Sequence, residues 1–544
     1  MVTGGLSSGS VTAGRATGDE TAARRRFEAT LAGRPDDEGA RLGLAGVLLR
    51  TGDPSAALGQ ATKALDTNPA SADGEYLAGL ALKALGRYDE AIGAFGRAAQ
   101  KKPGNFEAIL EMGVVLRLAT LPEQALTCFA AAHKLRPGSP ELFYYGGHAL
   151  YDLGQVDEAL ASYRAAIRLR PDYLEAHQIL NNLLWEHQRS DDFLASYREA
   201  LEAMPGSVAL YARYSQYLSH VGRMEEAGAV LAEGRARCGA QPVLTHALAR
   251  LRTEAGEWDE ALALFGEALA GLPGDCSLMM DYCRALIVHG DYDKALGLAG
   301  EVRGLIPDDQ QNLAYFWLCK RLLGDRETAR RLYDYDTLVR PFEIDCPPGY
   351  RDMAEFNRAL GARLRDLHRT INQPLDQSVR RGTQTHGLLF DSEEPLIKAI
   401  RAEISKAVQA YIADMPVDAD HPLFRRKSGN FLYSGSWSVL LGPGGHHTNH
   451  VHDIGWISSA YYVDVPDDLD DGAHEGWIRF GESDLGLGER EEIGRLIRPR
   501  AGTLVLFPSY MYHGTVPIKT TQPRMTIAFD VVPGDVVPGD VVPA

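Results

Sequence analysis

Two histidines separated by one residue open a β-prone run, in the stretch NHVHDIGWISSAYYVDVP of residues 449–466. Alternate residues of a strand face the same side, so His450 and His452 can point into one cavity. His513, at the end of VLFPSYMYH, offers a third imidazole. Three convergent imidazole nitrogens with open positions suit Fe(II), and also Zn, Cu or Mn. The pattern therefore predicts a metal site of these three histidines.

Neighbouring side chains leave the ligand set open. Asp453 follows His452 directly, and a regular strand would aim its carboxylate at the opposite face. Only a bulge or a turn would bring Asp453 to the ion, so a shifted ligand set that includes it stays an alternative. His446 and His447 are expected to be exposed loop residues rather than ligands.

Arg524 is a candidate anion-binding residue on the strand predicted after His513, in the run RMTIAFDVVP. A guanidinium can hold one carboxylate of a dicarboxylate through two parallel hydrogen bonds. A buried arginine needs a partner of opposite charge, and a substrate carboxylate would provide one. We therefore expect Arg524 to anchor a dicarboxylate in the cavity of the histidines.

The elements that must position these residues follow from the pattern around them. From about residue 429 the chain consists of short β-rich runs separated by Gly, Pro and Asp turns, which predicts a β-sandwich or jelly roll. Residues 353–364 and 393–414 show helical spacing, and the segment NQPLDQSVRRGTQTHGLLF between them is predicted to be a loop. The ending DVVPGDVVPGDVVPA is a tandem pentapeptide and is predicted to be low in complexity and disordered.

The first two thirds of the chain repeat with a period of 34 residues. The repeat is marked by a proline, a glycine 17 residues later and an alanine five residues after that, with Gly239, Thr120, Gln188 and Phe193 as the exceptions. The proline discourages continuation of a helix, the glycine ends one in a left-handed conformation, and the alanine lets two helices approach closely. Nine helix-turn-helix units are predicted, opening at Pro35, Pro69, Pro103, Pro137, Pro171, Pro205, Gly239, Pro273 and Pro307.

The repeats resemble the tetratricopeptide repeat family, most clearly in LALKALGRYDEAIGAFGRAAQKKP and HALYDLGQVDEALASYRAAIRLRP. The resemblance implies a right-handed superhelix whose concave groove binds a protein or peptide segment. Tyr144, Tyr145, Asn181 and Asn182 are candidate groove residues, although such residues also serve in packing. Dimerisation or a rigid spacer remains an alternative role for the repeats.

The C-terminal motifs resemble the 2-oxoglutarate and Fe(II)-dependent oxygenase superfamily, in its bacterial and phage branch. The resemblance rests on the His-x-His pair, SSAYYV, FPSYMYH, RMTIAF and QSVRRGTQT. It implies the three histidines as iron ligands and Arg524 and Tyr462 on the distal carboxylate of 2-oxoglutarate. Thr526 and Ser458 are further candidates for the 2-oxoglutarate site.

Two positions depart from that superfamily. His452 stands where most members have an aspartate ligand, and Asp453 replaces the proline that the branch has after the second histidine. The cupin fold, which also uses His-x-His, ranks second. The cupin motif requires a glutamate at the positions where Trp456 and Ile457 lie in this chain. The cupin fold also gives no reason for Arg524.

The resemblance implies a dioxygenase that uses Fe(II), 2-oxoglutarate and O2 and releases succinate. Because the repeats and this region lie in one chain, we expect it to hydroxylate a protein or peptide side chain. Two alternatives stay open: a non-catalytic scaffold with a degenerate oxygenase domain, and an oxygenase acting on a small molecule. The formal net charge of −17 argues against binding to nucleic acid or anionic membranes.

The sequence also indicates where the protein is located and where its domains begin and end. No apolar run approaches the roughly 20 residues of a membrane span, and the start lacks the features of a signal peptide. Six scattered cysteines predict reduced thiols, which favours the cytoplasm. The predicted division is a disordered tail (1–17), a repeat superhelix (18–340), a helical linker (341–428), an α+β domain built on a jelly roll (429–533) and a tail (534–544).

Overall fold

A computed structural model of the protein describes residues 18–189 and 192–534. Within these ranges, no helix combines the length and apolar character that a membrane crossing requires. The six cysteines are free thiols, as their spacing predicts. The predicted tail at 1–17 lies outside the described residues, and so do residues 535–544 of the predicted C-terminal tail.

The predicted helix-turn-helix array is confirmed. In the described chain nine helix pairs follow α1 (Gly18–Gly33): α2 (Glu38–Arg50) with α3 (Pro54–Thr67), α4 (Ala72–Ala84) with α5 (Tyr88–Lys101), α6 (Phe106–Leu118) with α7 (Pro122–Leu135), α8 (Pro140–Asp152) with α9 (Val156–Leu169), α10 (Leu174–Glu186) with α11 (Ala195–Ala203), α12 (Val208–His220) with α13 (Met224–Cys238), α14 (Pro242–Glu254) with α15 (Trp258–Gly271), α16 (Cys276–His289) with α17 (Tyr292–Leu305), and α18 (Gln310–Leu322) with α19 (Arg326–Leu332).

The turn inside each pair requires a left-handed backbone residue. Gly86 and Gly154 adopt φ values of 70° and 78° at this position. Thr120 and Gln188, which replace the glycine in two units, adopt φ values of 61° and 55° at the same place. A left-handed backbone is energetically unfavourable for a residue with a Cβ atom. The packing of the helices therefore imposes this conformation even where glycine is absent.

The predicted small residues lie between the paired helices. They are at most 7% exposed: Ala57, Ala91, Ala125, Ala159, Ala227, Ala261, Ala295 and Ala329. Phe193, the exception, belongs to a pair whose second helix is shortened to nine residues and begins after Leu194 in a left-handed conformation. The larger side chain therefore coincides with a local departure from the repeat geometry.

The described chain divides into two compact units between Leu180 and Asn181. The core of the first unit consists of repeat residues such as Phe95 and Phe129, packed in clusters that join neighbouring helix pairs. The second unit contains the later repeats and all the strands of the described residues. Its largest core cluster combines Leu313 and Trp317 of α18 with residues of the sheet such as Ile527.

The second unit contains three further helices, α20 (Tyr335–Leu338), α21 (Met353–Arg365) and α22 (Pro395–Ala413). Its described strands are β1 (Arg340–Glu343), β2 (Val379–Gln384), β3 (Phe431–His447), β4 (Ile457–Asp464), β5 (Ile478–Phe480), β6 (Arg495–Ile497), β7 (Thr503–Pro508), β8 (His513–Thr515) and β9 (Arg524–Pro533). They form a six-stranded sheet in the order β1-β7-β4-β9-β3-β2 and a three-stranded sheet in the order β6-β5-β8. The strand pairs are antiparallel, so the predicted class is confirmed and the jelly roll is consistent with it.

One local prediction is wrong, and the structure decides between two overlapping predictions for residues 530–533. The predicted loop around QSVRRGTQT contains strand β2, which pairs with β3 along Gly382–Gln384 and again at Val379 and Arg380. The first copy of the C-terminal pentapeptide, DVVPG, forms the buried end of β9 and a turn, which agrees with the predicted β-rich run RMTIAFDVVP and not with the disorder predicted from the repeated pentapeptide. In both places tertiary pairing decides the conformation, because strand preference depends on the neighbouring strand more than on the residues themselves.

Glycines of the first helices allow close contact with aromatic rings of the second helices. A Cβ atom added at Gly113 would lie 2.5 Å from the ring of Phe129, and one added at Gly79 would lie 2.6 Å from that of Phe95. Gly59 in α3 is exposed and has nothing within 4 Å of such an atom. The two kinds of helical glycine should therefore respond oppositely to alanine.

We predict that Gly113→Ala destabilises the protein and that Gly59→Ala stabilises it. Overpacking costs about 1–3 kcal/mol, whereas the gain in helix propensity is about 1 kcal/mol at either position. Thermal unfolding of the two variants, followed by circular dichroism beside the unaltered chain, measures the difference. Equal shifts in the unfolding midpoint would contradict the packing described above.

Candidate metal centre

The structure brings His450, His452 and His513 together. One ring nitrogen of each lies within 4.8 Å of those of the other two. The Nε2 atoms of His450 and His452 are 3.2 Å apart, and the ring centroids of His450 and His513 are 4.2 Å apart. Two imidazole nitrogens bound to one ion at about 2.1 Å and at a right angle are about 3 Å apart, so the spacing suits a shared ion.

The backbone that carries the pair differs from the prediction. His450 and His452 precede β4 and lie outside any strand, in an extended segment. His450 exchanges backbone hydrogen bonds of 2.9 and 3.0 Å with His513, and the His452 amide donates to the Ser509 carbonyl at 3.1 Å. Pairing with residues 509–513, rather than with a long ladder, gives the two side chains their common direction.

Hydrogen bonds at the other ring nitrogen orient each imidazole. Nδ1 of His450 lies 2.8 Å from the Thr448 carbonyl, and Nδ1 of His513 lies 3.0 Å from the Met511 carbonyl. Carbonyls only accept, so both Nδ1 atoms carry the proton and both Nε2 atoms present a lone pair when the rings are neutral. Nδ1 of His452 lies 2.6 Å from the Asp530 carboxylate.

Burial controls the charge of these rings. It lowers the pKa of His450 to about 3 and the pKa of His513 well below its usual value, and the neighbouring histidines act in the same direction. Burial would also lower the pKa of His452, but the Asp530 carboxylate outweighs it and raises that pKa. At neutral pH the Nε2 atoms of His450 and His513 are therefore free to donate to a cation.

The other candidate ligands are placed elsewhere. Asp453 is exposed, and its carboxylate is not part of the described group of three ligand atoms. The prediction of exposed loop positions for His446 and His447 is wrong, because both are half-buried at the end of β3 and pair with β2. His447 lies beside the cluster, since the Ser378 hydroxyl contacts its Nδ1 at 3.0 Å and Nε2 of His450 at 3.3 Å.

Arg524 is buried on the inner face of β9. It is 2% exposed, and its Nε and Nη1 atoms have no hydrogen-bond partner among the described residues. Its guanidinium carbon lies 5.0 Å from the ring centroid of Tyr462, whose hydroxyl is also buried and without a described partner. Burial lowers the pKa of Arg524, and the facing Tyr462 acts in the opposite direction.

The remaining predicted residues share this region of the sheet. Thr526 lies opposite Tyr462 in the β4–β9 pairing, two residues along β9 from Arg524. Ser458 donates its hydroxyl hydrogen to Asp530 at 2.6 Å and contacts Ser509 at 2.8 Å. Arg524, Tyr462 and Thr526 are therefore neighbours, whereas Ser458 lies at the Asp530 end.

Sequence reasoning missed Asp530, Ser378 and Trp437, whose ring stacks on His452 at 5.8 Å. Asp530 lies where the predicted β-rich run RMTIAFDVVP overlaps the first copy of the pentapeptide that was predicted to be disordered. Strand alternation was the available signal, because Asp530 is six residues after Arg524 and so lies on the same face of β9. Ser378 lies in the motif QSVRRGTQT, on which the resemblance to the oxygenases partly rests, although no role was assigned to it.

The later repeats contact the segments that carry the histidines. Within the second unit, the Gln310 amide at the start of α18 donates to the Asp453 carbonyl at 3.0 Å. Gln311 donates to the Tyr512 hydroxyl at 3.1 Å, and the Tyr510 hydroxyl donates to the Leu332 carbonyl at 2.9 Å. Both histidine segments are thus hydrogen-bonded to the last repeat.

Family models match both parts of the chain. Residues 435–530 match a model described as "Putative 2OG-Fe(II) oxygenase". Tetratricopeptide repeat models match residues 76–140, 147–187 and 252–315, and residues 21–98 match a model of anaphase-promoting complex, cyclosome, subunit 3. The chain therefore carries tetratricopeptide repeats followed by a region of the 2-oxoglutarate–Fe(II) oxygenase type, as its motifs predicted.

Solved structures similar to parts of the chain include MamA and YrrB. A crystal structure of MamA is 23% identical, with a TM-score of 0.27, over 28% of this chain and 90% of that one. MamA from Desulfovibrio magneticus RS-1 is 24% identical, with a TM-score of 0.27, over 31% and 94%. YrrB, described as a TPR protein with an unusual peptide-binding site, is 22% identical, with a TM-score of 0.27, over 35% and 97%. No curated protein matched the chain.

We predict that His450→Ala and His513→Ala abolish stoichiometric binding of Fe(II) or Co(II), because each removes an Nε2 donor from the cluster. His446→Ala serves as the matched control, since His446 is next to His447 on β3 and so faces the other side of the strand. Anaerobic equilibrium dialysis with metal analysis measures the bound ion. Unchanged binding in His513→Ala would contradict a three-histidine site.

Proposed function

We propose that this protein is a 2-oxoglutarate- and Fe(II)-dependent dioxygenase that hydroxylates a side chain of a protein or peptide presented by its repeats. The buried guanidinium of Arg524 carries the proposal, because no described carboxylate of the chain pairs with it. A buried cation without a partner is costly. The distal carboxylate of 2-oxoglutarate would complete it.

The residues present fit the iron. His450, His452 and His513 would hold it through Nε2, since their Nδ1 atoms are occupied by Thr448, Asp530 and Met511. Iron and 2-oxoglutarate together supply oxidising chemistry in which O2 and 2-oxoglutarate are consumed, succinate and CO2 are released, and a C–H bond is hydroxylated. Three protein ligands leave positions open for these reactants.

The chain's own side chains would bind and orient 2-oxoglutarate. Arg524 would donate to its distal carboxylate, and the unpartnered Tyr462 hydroxyl would donate to the same group. Thr526, on the same face of β9, is a further candidate donor, and Ser458 would act indirectly through Asp530. Arg524 and Tyr462 are almost fully buried, which excludes water from this end of the site.

The repeats support a protein or peptide substrate. Within the second unit the Trp185 indole donates to the Gln373 carbonyl at 3.0 Å, and the Asn372 side chain donates to the Trp185 carbonyl at 2.8 Å. The segment held in this way leads to Ser378, which contacts His450. Repeats at both ends of this unit thus hold segments that reach the histidines, and a chain bound to the first helices between them would lie near the site.

The first helices of the intervening repeats carry polar groups suited to such a chain. Arg250 and His246 of α14 pair with Asp281 of α16, at 3.5 and 2.8 Å. Burial lowers the pKa of His220 in α12 to about 4, and Arg250 and Arg213 act in the same direction. Cationic side chains from consecutive first helices therefore lie close together.

We predict that Arg524→Met raises the KM for 2-oxoglutarate while leaving metal binding unchanged. Loss of one partner of a buried hydrogen-bonded charge pair costs about 2–5 kcal/mol, or roughly a thirtyfold or greater rise in KM. Arg401→Met is the matched control, because Arg401 lies over Tyr433 at 5.4 Å but donates to the Phe390 carbonyl. Succinate formation in anaerobically reconstituted protein after addition of O2 provides the measurement.

The same assay separates the alternatives. The protein could bind iron and yet form no succinate, either with a substrate or by uncoupled turnover. That result would favour the non-catalytic scaffold, an alternative suggested by His452 in place of the usual aspartate ligand. Succinate formation stimulated only by small molecules would favour the small-molecule oxygenase. Either outcome would contradict the proposed hydroxylation of a protein.

We predict that Arg250→Glu weakens turnover of a protein substrate and leaves uncoupled oxidation of 2-oxoglutarate unchanged. Arg252→Glu is the control on the same helix, because Arg252 pairs with Glu257 and Glu260 next to α15 rather than with a neighbouring first helix. Mass spectrometry of candidate proteins, scored for addition of one oxygen atom, reports the coupled reaction. Equal effects of the two variants would argue against substrate presentation by the repeats.

A further inference from the structure

A buried carboxylate lies directly behind one of the three histidines. Asp530 is 9% exposed, and its Oδ2 is 2.6 Å from Nδ1 of His452. Its Oδ1 accepts a hydrogen bond of 2.6 Å from Ser458. Within the described chain His452 is its sole ion-pair partner, because no lysine or arginine approaches the carboxylate.

This arrangement leaves a negative charge that needs compensation. A buried carboxylate is costly unless it is hydrogen-bonded and balanced by positive charge. His452 supplies that balance if its ring is protonated, or if its Nε2 binds a cation. Nε2 of His452 lies 3.2 Å from Nε2 of His450, so a proton or a metal ion held by both nitrogens would supply positive charge next to the ring.

The three histidines provide no anionic ligand of their own. A site with two histidines and one carboxylate neutralises half the charge of a divalent ion, whereas three neutral imidazoles neutralise none. A carboxylate that accepts the proton of a ligating imidazole makes that imidazole a stronger donor and holds its ring in place. Asp530 would not contact the ion itself. Its carboxylate accepts a hydrogen bond from the ring of His452, and that ring would bind the ion.

We propose that Asp530 is a positioning residue that supplies, through His452, the negative charge which a carboxylate ligand provides in sites with a His-x-Asp pair. The inference rests on the proposed function only in that the three histidines hold the metal. Asp530 would thereby set the affinity and the electronic character of the centre without contacting the ion. Trp437, stacked on His452, restrains the other side of the same ring.

The test compares Co(II) binding by the full-length chain and by Asp530→Asn under anaerobic conditions. Asparagine can keep hydrogen bonds to His452 and Ser458 but carries no charge. Loss of such an outer partner should weaken metal binding by about 10- to 100-fold, with a changed visible absorption of the bound Co(II). Asp464→Asn removes the same charge from a carboxylate that pairs with Arg365 and should bind as tightly as the unaltered chain.

Circular dichroism of the metal-free proteins establishes that each variant is folded. Should Asp530→Asn not fold, the double variant His452→Asp with Asp530→Asn takes its place, because it moves the carboxylate onto the ion. Binding of Co(II) by the double variant within tenfold of the unaltered chain supports the proposal, and a hundredfold loss overturns it.

The failure of this inference is distinguishable from the failure of the proposed function. If the unaltered chain and Asp530→Asn bind Co(II) equally, and both lose it on His513→Ala, Asp530 contributes no charge to the centre and only this inference is overturned. If the unaltered chain binds no Co(II), the three-histidine site itself fails.

Discussion

The structure of the site depends on what occupies the Nδ1 atoms of three buried imidazoles. Two backbone carbonyls and one carboxylate take those positions, and each therefore turns an Nε2 atom toward the same point. Imidazoles held in this way could not ligate through Nδ1 without losing hydrogen bonds that burial makes costly to lose. The arrangement selects one nitrogen of each ring before any ion binds.

The second constraint is the placement of charge in a buried region. Arg524 is enclosed beside Tyr462 without a carboxylate from the described chain, while Asp530 on the same strand is enclosed without an arginine or lysine. A fold that served only packing would pair these two charges with each other or replace them. Their separation along β9 is explained if each charge has a partner from outside the chain. That partner would be an anion for Arg524, and for Asp530 it would be a cation bound through His452.

The repeats and the sheets of the second unit share a core and hydrogen bonds, so the later repeats do more than extend the chain. Leu313 and Trp317 pack in the same cluster as residues of β9, and α18 begins against the segment that contains His452. Removal of these repeats would expose apolar surface and release the backbone next to two of the three histidines. The last helix pairs belong to the scaffold of the site.

The repeat period determined most of the helical architecture by itself. A 34-residue spacing of proline, glycine and alanine is a local signal, because each residue acts on the helix that contains it or on the adjacent turn. The sequence also predicted five β-rich runs, the three histidines and the spacing to Arg524. It could do so because strand alternation and motif spacing are properties of the chain alone. The class of the fold followed from these signals, and they also named the three histidines that the structure brings together.

Only the tertiary structure decided the rest. Strand β2 forms because β3 offers it a partner, which no local preference reveals. The convergence of His450 and His452 comes from pairing with residues 509–513 rather than from a regular strand. Asp530 resembles part of a low-complexity tail in the sequence, and its contact with His452 joins residues 78 positions apart. Such contacts are set by how the sheet closes, so the sequence could name the three clustered imidazoles but not the groups that orient them.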